Sequence, residues 1–561
     1  MTHPSPPPLP PARNWPVCGH GATVEDPVGC PGVHAGSHTA CLAHLNETDR
    51  AAYLDTLSPG ADIDHRGTPF TQDLLHRLLT ALRDPATHRP RTGAALFDGA
   101  TFAGDPKFDE VTFSGEVRFP GAAFTGRASF AAATVTDQAV FGGAAFAGRA
   151  LFAGAAFTRD AQFEEVTFTG DADLRQAVFT GDLRFDRARF EAASRVGPLV
   201  CRQRVVLDGA VFEQPVTLEV AARRVSCART WWASTATLHL RHAELDLRDA
   251  VLEHPVVISA RPTPFPSPGL PETELSGLPP GVRLTTLGGV DAAHLALHDI
   301  DLSECRFAGA VHLDQLKVDG WCTFPRTPTG AGRRFPWRWA RRDTLAEEHH
   351  WRVRTARHPA LARGWTPPPE DAPELRPAAV AALYRQLRKS LEDGKNEPGA
   401  AHFYVGECEM RRRDADITPW SERALLGVYW ALSGYGLRAS RALACLVAAM
   451  TVTLAVMVLW GLPADAPEPT VTGRRLVNGQ QVEAARTTET SAPANPTGPL
   501  AERITTDRFE KALRVVINSV AFRSSGQDLT IAGTYSEMAS RLVEPVLLGM
   551  AVLAVRSRVK R

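Results

Sequence analysis

From Phe97 to Phe190 one large apolar residue returns every eleven positions in each of two interleaved series. The first is Phe97, Phe108, Phe119, Phe130, Phe141, Phe152, Phe163, Leu174 and Phe185; the second is Phe102, Phe113, Phe124, Val135, Phe146, Phe157, Phe168, Phe179 and Phe190. The spacing along the chain therefore alternates five and six. A fixed period of this kind marks a repeat architecture and takes precedence over local propensity. An eleven-residue period also suits a right-handed helical coil, but that requires apolar residues three and four apart, and spacings of five and six scatter Phe around a helix. Glycines such as Gly99, Gly104, Gly115 and Gly121 would each cost about 1 kcal/mol in a helix interior. Short strands joined by corners accommodate them.

Two positions before nearly every large residue stands a small one, as in Ala95, Ala100, Val111, Val117, Ala122 and Ala128. The unit small-x-Phe-x-x resembles the pentapeptide-repeat family. That resemblance implies a mainly β solenoid, a right-handed quadrilateral parallel β-helix with two eleven-residue blocks per coil and stacked inward Phe side chains. It implies no activity, since solenoids serve as scaffolds and binding surfaces. Some members of the family are acidic rods that mimic DNA and bind topoisomerases. Here the outward carboxylates only slightly exceed Arg, so that role is a minor alternative. Weaker copies at Leu207, Phe212 and Leu218, at Leu247, Leu252 and Ile258, and at Leu302, Phe307, Leu313, Val318 and Phe324 extend the expected rod.

At 561 residues the chain is too long for one core. The expected organisation is a Pro-rich start over 1–16 without a signal peptide, a Cys/His-rich module with capping helices over 17–94, and the β-helix over 95–324 with a loop at 261–281. A basic aromatic linker over 325–376, a helical hairpin over 377–420 and a membrane tail over 421–561 follow. Zero formal net charge gives no reason to expect nucleic acid as a partner. Nine cysteines without the density of a secreted disulfide scaffold fit a reducing compartment.

Cys18, His20, Cys30, His34, His38, Cys41 and His44 crowd into one short stretch. Zinc favours thiolate and imidazole, and a small loop-rich segment gains folding energy from it. The expected site is Cys18, Cys30, Cys41 and His44 holding one zinc ion. The spacings depart from the compact Cys-x2-4-Cys knuckle, and the alternative is three buried free thiols with surface histidines. Asp62-Ile63-Asp64-His65-Arg66-Gly67 reads as a solvated turn, and Glu407 and Glu409 as charged faces of the hairpin, so no catalytic residues are expected. The Arg333 to Arg342 stretch, where Arg alternates with aromatics, suits an anionic lipid surface or packing against the last coil. The hairpin segments resemble Tyr-Arg-x-Leu-Lys-like and Phe-Tyr-x-x-Glu-x-Glu-Met-Arg-Arg segments of bacterial pentapeptide-repeat proteins with a membrane tail.

Apolar runs at about 442–462 and 538–555 are the expected spans, separated by an external loop over 463–537. Arg438, Arg441 and the Arg556 to Arg561 flank place both ends on the cytoplasmic side of the plasma membrane. Between the runs, an amphipathic segment from Phe509 to Phe522 makes the tail loosely similar to a two-span channel module. The following Phe522-Arg523-Ser524-Ser525-Gly526-Gln527-Asp528 carries no Thr-Val-Gly-Tyr-Gly-like filter. The expected role is a non-enzymatic, membrane-anchored scaffold whose partners are the bilayer and another protein. The alternative is a homo-oligomeric channel-like or sensor protein with a degenerate pore.

Overall fold

The structure is a computed structural model that describes residues 15–266, 272, 275, 277–328, 341–463, 476–477, 480–481, 495–497 and 499–559. It comprises two compact units that divide between Tyr404 and Val405.

The first unit is dominated by a parallel β solenoid with four columns of strands. Ala95 pairs with Val117 and Val117 with Ala139 in one column; Thr101, Ala123 and Ala145 align in the second. Ala128, Ala150 and Ala172 align in the third, and Thr112, Thr134 and Ala156 in the fourth. Partners lie 22 residues apart, so two eleven-residue blocks make one coil, as the family resemblance implies. Strands of only two residues follow from the spacing, because the chain turns a corner after every five or six residues.

The sixteen Phe residues of the repeat, from Phe97 to Phe190, are all at most 3 % exposed. They stack coil on coil. Ring centroids from Phe97 through Phe119, Phe141 and Phe163 to Phe185 lie 5.0, 5.0, 4.7 and 5.1 Å apart, close to the spacing of about 4.8 Å between paired strands. A second column continues past the repeat, from Phe190 to Phe212 at 4.6 Å and on to Trp232 at 4.5 Å. Each buried ring contributes roughly 2–3 kcal/mol of transfer energy. The small residue two positions earlier, as at Ala95, Ala100 and Ala122, is fully buried and leaves the rings their volume.

Glycine has two distinct uses here. The corner two residues after each first-series position has positive φ in every copy, yet Gly99, Gly121, Gly143 and Gly154 share this row with Glu110, Ala132, Glu165, Gln176 and Arg187. By contrast, Gly148 and Gly170 lack positive φ and are required by crowding: a Cβ on Gly170 would lie 2.4 Å from the backbone of Gly148.

The first coil begins before the Phe repeat. Ile63–Asp64 pairs with Ala95–Leu96 and Pro69–Phe70 with Thr101–Phe102. Residues Asp62 to Gly67 are thus part of the solenoid and not a solvated turn, and His65 is fully buried against Phe70 and Phe97. The helix Gln72–Ala81 buries Leu74, Leu75, Leu78 and Leu79, and Thr71 caps its N-terminus.

After Phe190 the cross-section changes. Arg195–Val206 and Val216–Ser226 are long continuous strands, paired side by side, where earlier coils had separate two-residue strands. Val200 and Ala221 are covered by the 261–281 loop through Phe265 and Leu275, and a buried Arg241–Glu272 ion pair at 2.8 Å ties the loop down. The last coils keep Leu302, Phe307 and Leu313 inside, while Val318 and Phe324 are half-buried and Leu316 takes an interior place.

Candidate metal centre

Cys18 and Cys30 face each other across a short hairpin. The Cys18 amide donates to the Gly32 carbonyl at 2.7 Å, that of Gly19 to Cys30 at 3.0 Å and that of Cys30 to His20 at 2.9 Å. Gly32 admits the third thiol, since a Cβ there would lie 2.6 Å from that of Cys41. Cys41 and His44 sit on one turn, with the His44 amide donating to the Cys41 carbonyl at 2.9 Å. Arg50, on the next helix, fixes that turn by donating to the carbonyls of Leu42, Ala43 and Leu45.

The donor atoms of Cys18, Cys30, Cys41 and His44 all lie within 4.8 Å of one another. Sγ of Cys41 is 3.7 Å from that of Cys30 and 3.3 Å from Nδ1 of His44, which is 3.6 Å from Sγ of Cys18. A tetrahedral zinc with bonds of about 2.3 Å to sulfur and about 2.0 Å to nitrogen requires edges of roughly 3.5–3.8 Å. The cluster could hold a metal ion of this kind. Burial pushes the Cys30 thiol up, and burial with the neighbouring thiolates pushes Cys41 up to about 12. Cys18 moves the other way: burial acts to raise it, but hydrogen bonds around it outweigh burial and lower its pKa. With Cys18 ionised, the two buried thiols resist losing their protons without a cation among them. Burial, followed by His20 and Arg50, lowers the pKa of His44 and favours its neutral, ligating form. Four protein donors would leave no open position, the pattern of a structural site. His20 stacks on His44 at 4.2 Å, and His34 hydrogen-bonds the Val17 carbonyl at 3.1 Å.

Other charged residues singled out in the sequence have structural surroundings. Glu409 is 1 % exposed, accepts from Arg412 at 3.0 Å and from the Tyr435 hydroxyl at 3.2 Å, and Glu407 is also buried. They are not the charged solvent faces expected of the hairpin, whose helices are Pro377–Asp393 and Glu397–Arg413. Most of the Arg333 to Arg342 stretch lies outside the described residues. Arg342 itself is buried, with Nη2 2.7 Å from both oxygens of Glu348, which also accepts from Arg352 at 2.7 Å. Sequence reasoning missed this cluster; its trace is the run Glu347-Glu348-His349-His350 opening the helix Ala346–Arg354.

The second unit contains two helical stretches long and apolar enough to cross a membrane, Ala439–Gly461 and Ile531–Val555. The second is continuous through Glu544 and Pro545 and starts before the expected residue 538. The Thr506–Val520 helix packs on both. Arg508 crosses to the carbonyls of Val458, Leu462 and Pro463, a cation placed where a helix end is electronegative.

Residues 92–134 and 152–197 match the pentapeptide repeats family, in nine copies. Over those residues the solenoid is built of pentapeptide repeats. No curated protein and no solved structure matches the chain. The matched repeats lie in the shaft, while the Cys/His cluster and the two apolar helices lie outside the matched residues.

Proposed function

We propose that this chain is a non-catalytic, membrane-anchored scaffold: its pentapeptide-repeat solenoid presents a regular surface to a protein partner, and its two-span tail holds it at the inner face of the plasma membrane with both termini cytoplasmic. The observation that carries the reading is the pairing of a solenoid with two apolar, membrane-length helices in one chain. The outward charges are largely matched between coils, as in Arg118–Asp98, Arg187–Glu165 and Arg204–Asp182, which favours a neutral protein partner over a DNA-mimicking role. The metal is zinc, held structurally by Cys18, Cys30, Cys41 and His44.

Crosslinking in native membranes followed by pull-down, with the tail intact and deleted, tests the scaffold. One specific partner, recovered only when the chain is membrane-bound, is the expected result. Recovery of the chain with itself alone, together with ion flux across a reconstituted bilayer, would overturn it in favour of a channel-like assembly. Metal analysis of the purified chain should find one zinc per chain, lost in Cys41→Ala.

A further inference from the structure

Among the described residues, the tail buries one carboxyl group with no cation paired to it. Glu544 is 0 % exposed and lies in the stretch Ile531–Val555. Its Oε1 is 2.9 Å from the hydroxyl of Thr453 on the facing helix, and its enclosed Oε2 has no hydrogen-bond partner among the described residues. On its own helix Glu537 and Arg541 are paired with each other at 2.6 Å. Among the described residues, the buried faces of the packed elements, Ser433, then Ala442, Leu446 and Thr453, then Met457 and Val458, then Ala512, Val515, Val516 and Ser519, carry no titratable group. An ionised carboxylate in such surroundings is costly, and an ionisable residue retained there marks a working site.

Thr453 distinguishes the two protonation states. Its Oγ1 is also 3.0 Å from the carbonyl oxygen of Ala449, one turn back. A hydroxyl has a single hydrogen, and an ionised Glu544 would compete with Ala449 for it. With a proton on Glu544 both contacts are satisfied: the carboxylic O–H donates to Thr453 Oγ1, and the Thr453 O–H donates to Ala449. We propose that Glu544, together with Thr453, forms a proton-binding site within the membrane. Binding adds one proton to the carboxylate and breaks no other bond. Positions 537, 540 and 544 share one helix face. Along it the Ser540 hydroxyl donates to that of Ser519 at 2.9 Å, and Glu537 accepts from the Ser525 amide at 2.8 Å. These polar groups line the same helix face as Glu544 over about 10 Å along the axis.

The inference rests on the tail being inserted as proposed above, which alkaline extraction of membranes tests separately: release of the chain would remove the membrane setting and overturn the intramembrane assignment whatever the carboxyl does. The site itself is tested by infrared difference spectroscopy of the full chain in lipid nanodiscs during a pH titration. A protonated-carboxyl band should be present at neutral pH and absent in Glu544→Gln. Thr453→Val should lower the midpoint by about one pH unit, the worth of one hydrogen bond, and Thr453→Ser should restore it. A band retained in Glu544→Gln, a carboxylate signal from Glu544 at neutral pH, or a midpoint raised by Thr453→Val would overturn the proposal. So would displacement of the band by Na+ or K+, which would make this a metal-cation site.

Discussion

Between Phe97 and Phe190 the solenoid interior is lined by Phe, Leu, Val and Ala, whereas its C-terminal end is closed by buried charge. In the shaft each coil's backbone groups are taken by the next coil, as when Phe119 N–H donates to Val140 and Phe141 N–H to Gln162, both at 2.7 Å. At the end, Glu347 stands in for a missing coil, its Oε1 accepting from the amides of Phe307 and Ala308. Beside it Glu348 gathers Arg342, Arg352 and the Tyr384 hydroxyl, which in turn receives the Leu345 amide at 2.9 Å. Burial would raise the pKa of Glu348, yet the two guanidinium groups hold it well below the usual carboxylate range. The contrast shows that a repeat can fill its interior with one kind of side chain, but its ends must satisfy backbone groups that the repeat leaves unpaired.

The sharpest test lies at the N-terminal module. On the proposed assignment, removing zinc should cost the module about 10 kcal/mol of folding energy, by analogy with structural zinc sites generally. Hydrogen exchange at the Cys18 and Cys30 amides should rise after chelation, while amides such as Phe141 stay protected. Equal loss of protection in both would show that module and shaft are not independent. Next, Glu348→Ala leaves Arg342 and Arg352 buried without their anion and should cost roughly 3–5 kcal/mol, read as a drop in the denaturation midpoint of the full chain. A near-neutral result would mean that the cluster does not secure the C-terminal end.

Phe141→Ala, in the middle of a stack, should cost about 3 kcal/mol through lost transfer energy and a cavity. A much smaller loss would show that neighbouring coils collapse onto the gap. The smallest effect concerns pH. Burial lowers the pKa of His65 from 6.5 to about 4, so the unfolded chain binds this proton more readily than the folded one. Stability is unaffected above pH 6.5 and falls as pH drops toward 4; by pH 5 the loss is about 2 kcal/mol. His65→Leu should remove that share of the pH dependence in denaturation curves. An unchanged slope would place His65 in contact with water.

Much of the shaft was legible because its interior repeats one contact. The five-and-six spacing and the small residue before each Phe specify the repeat and which side chains face inward; coil length and column number came from the family that this pattern resembles. The long strands after Arg195 were not legible, because the apolar periodicity around Leu207, Phe212 and Leu218 continues while the corners between columns straighten. Thiol and imidazole chemistry singled out the four candidate ligands, but irregular spacings left open whether they met. Gly32 and the turn held by Arg50 bring them together.

By itself, then, the sequence determined the period, the inward Phe and the apolar lengths of the tail, because these depend on local spacing and composition. Only the tertiary structure decided that the coils begin at Ile63, that Glu347 and Glu348 lie inside the C-terminal end, and that Glu544 meets Thr453. These are contacts between residues far apart in the chain, with no period to announce them.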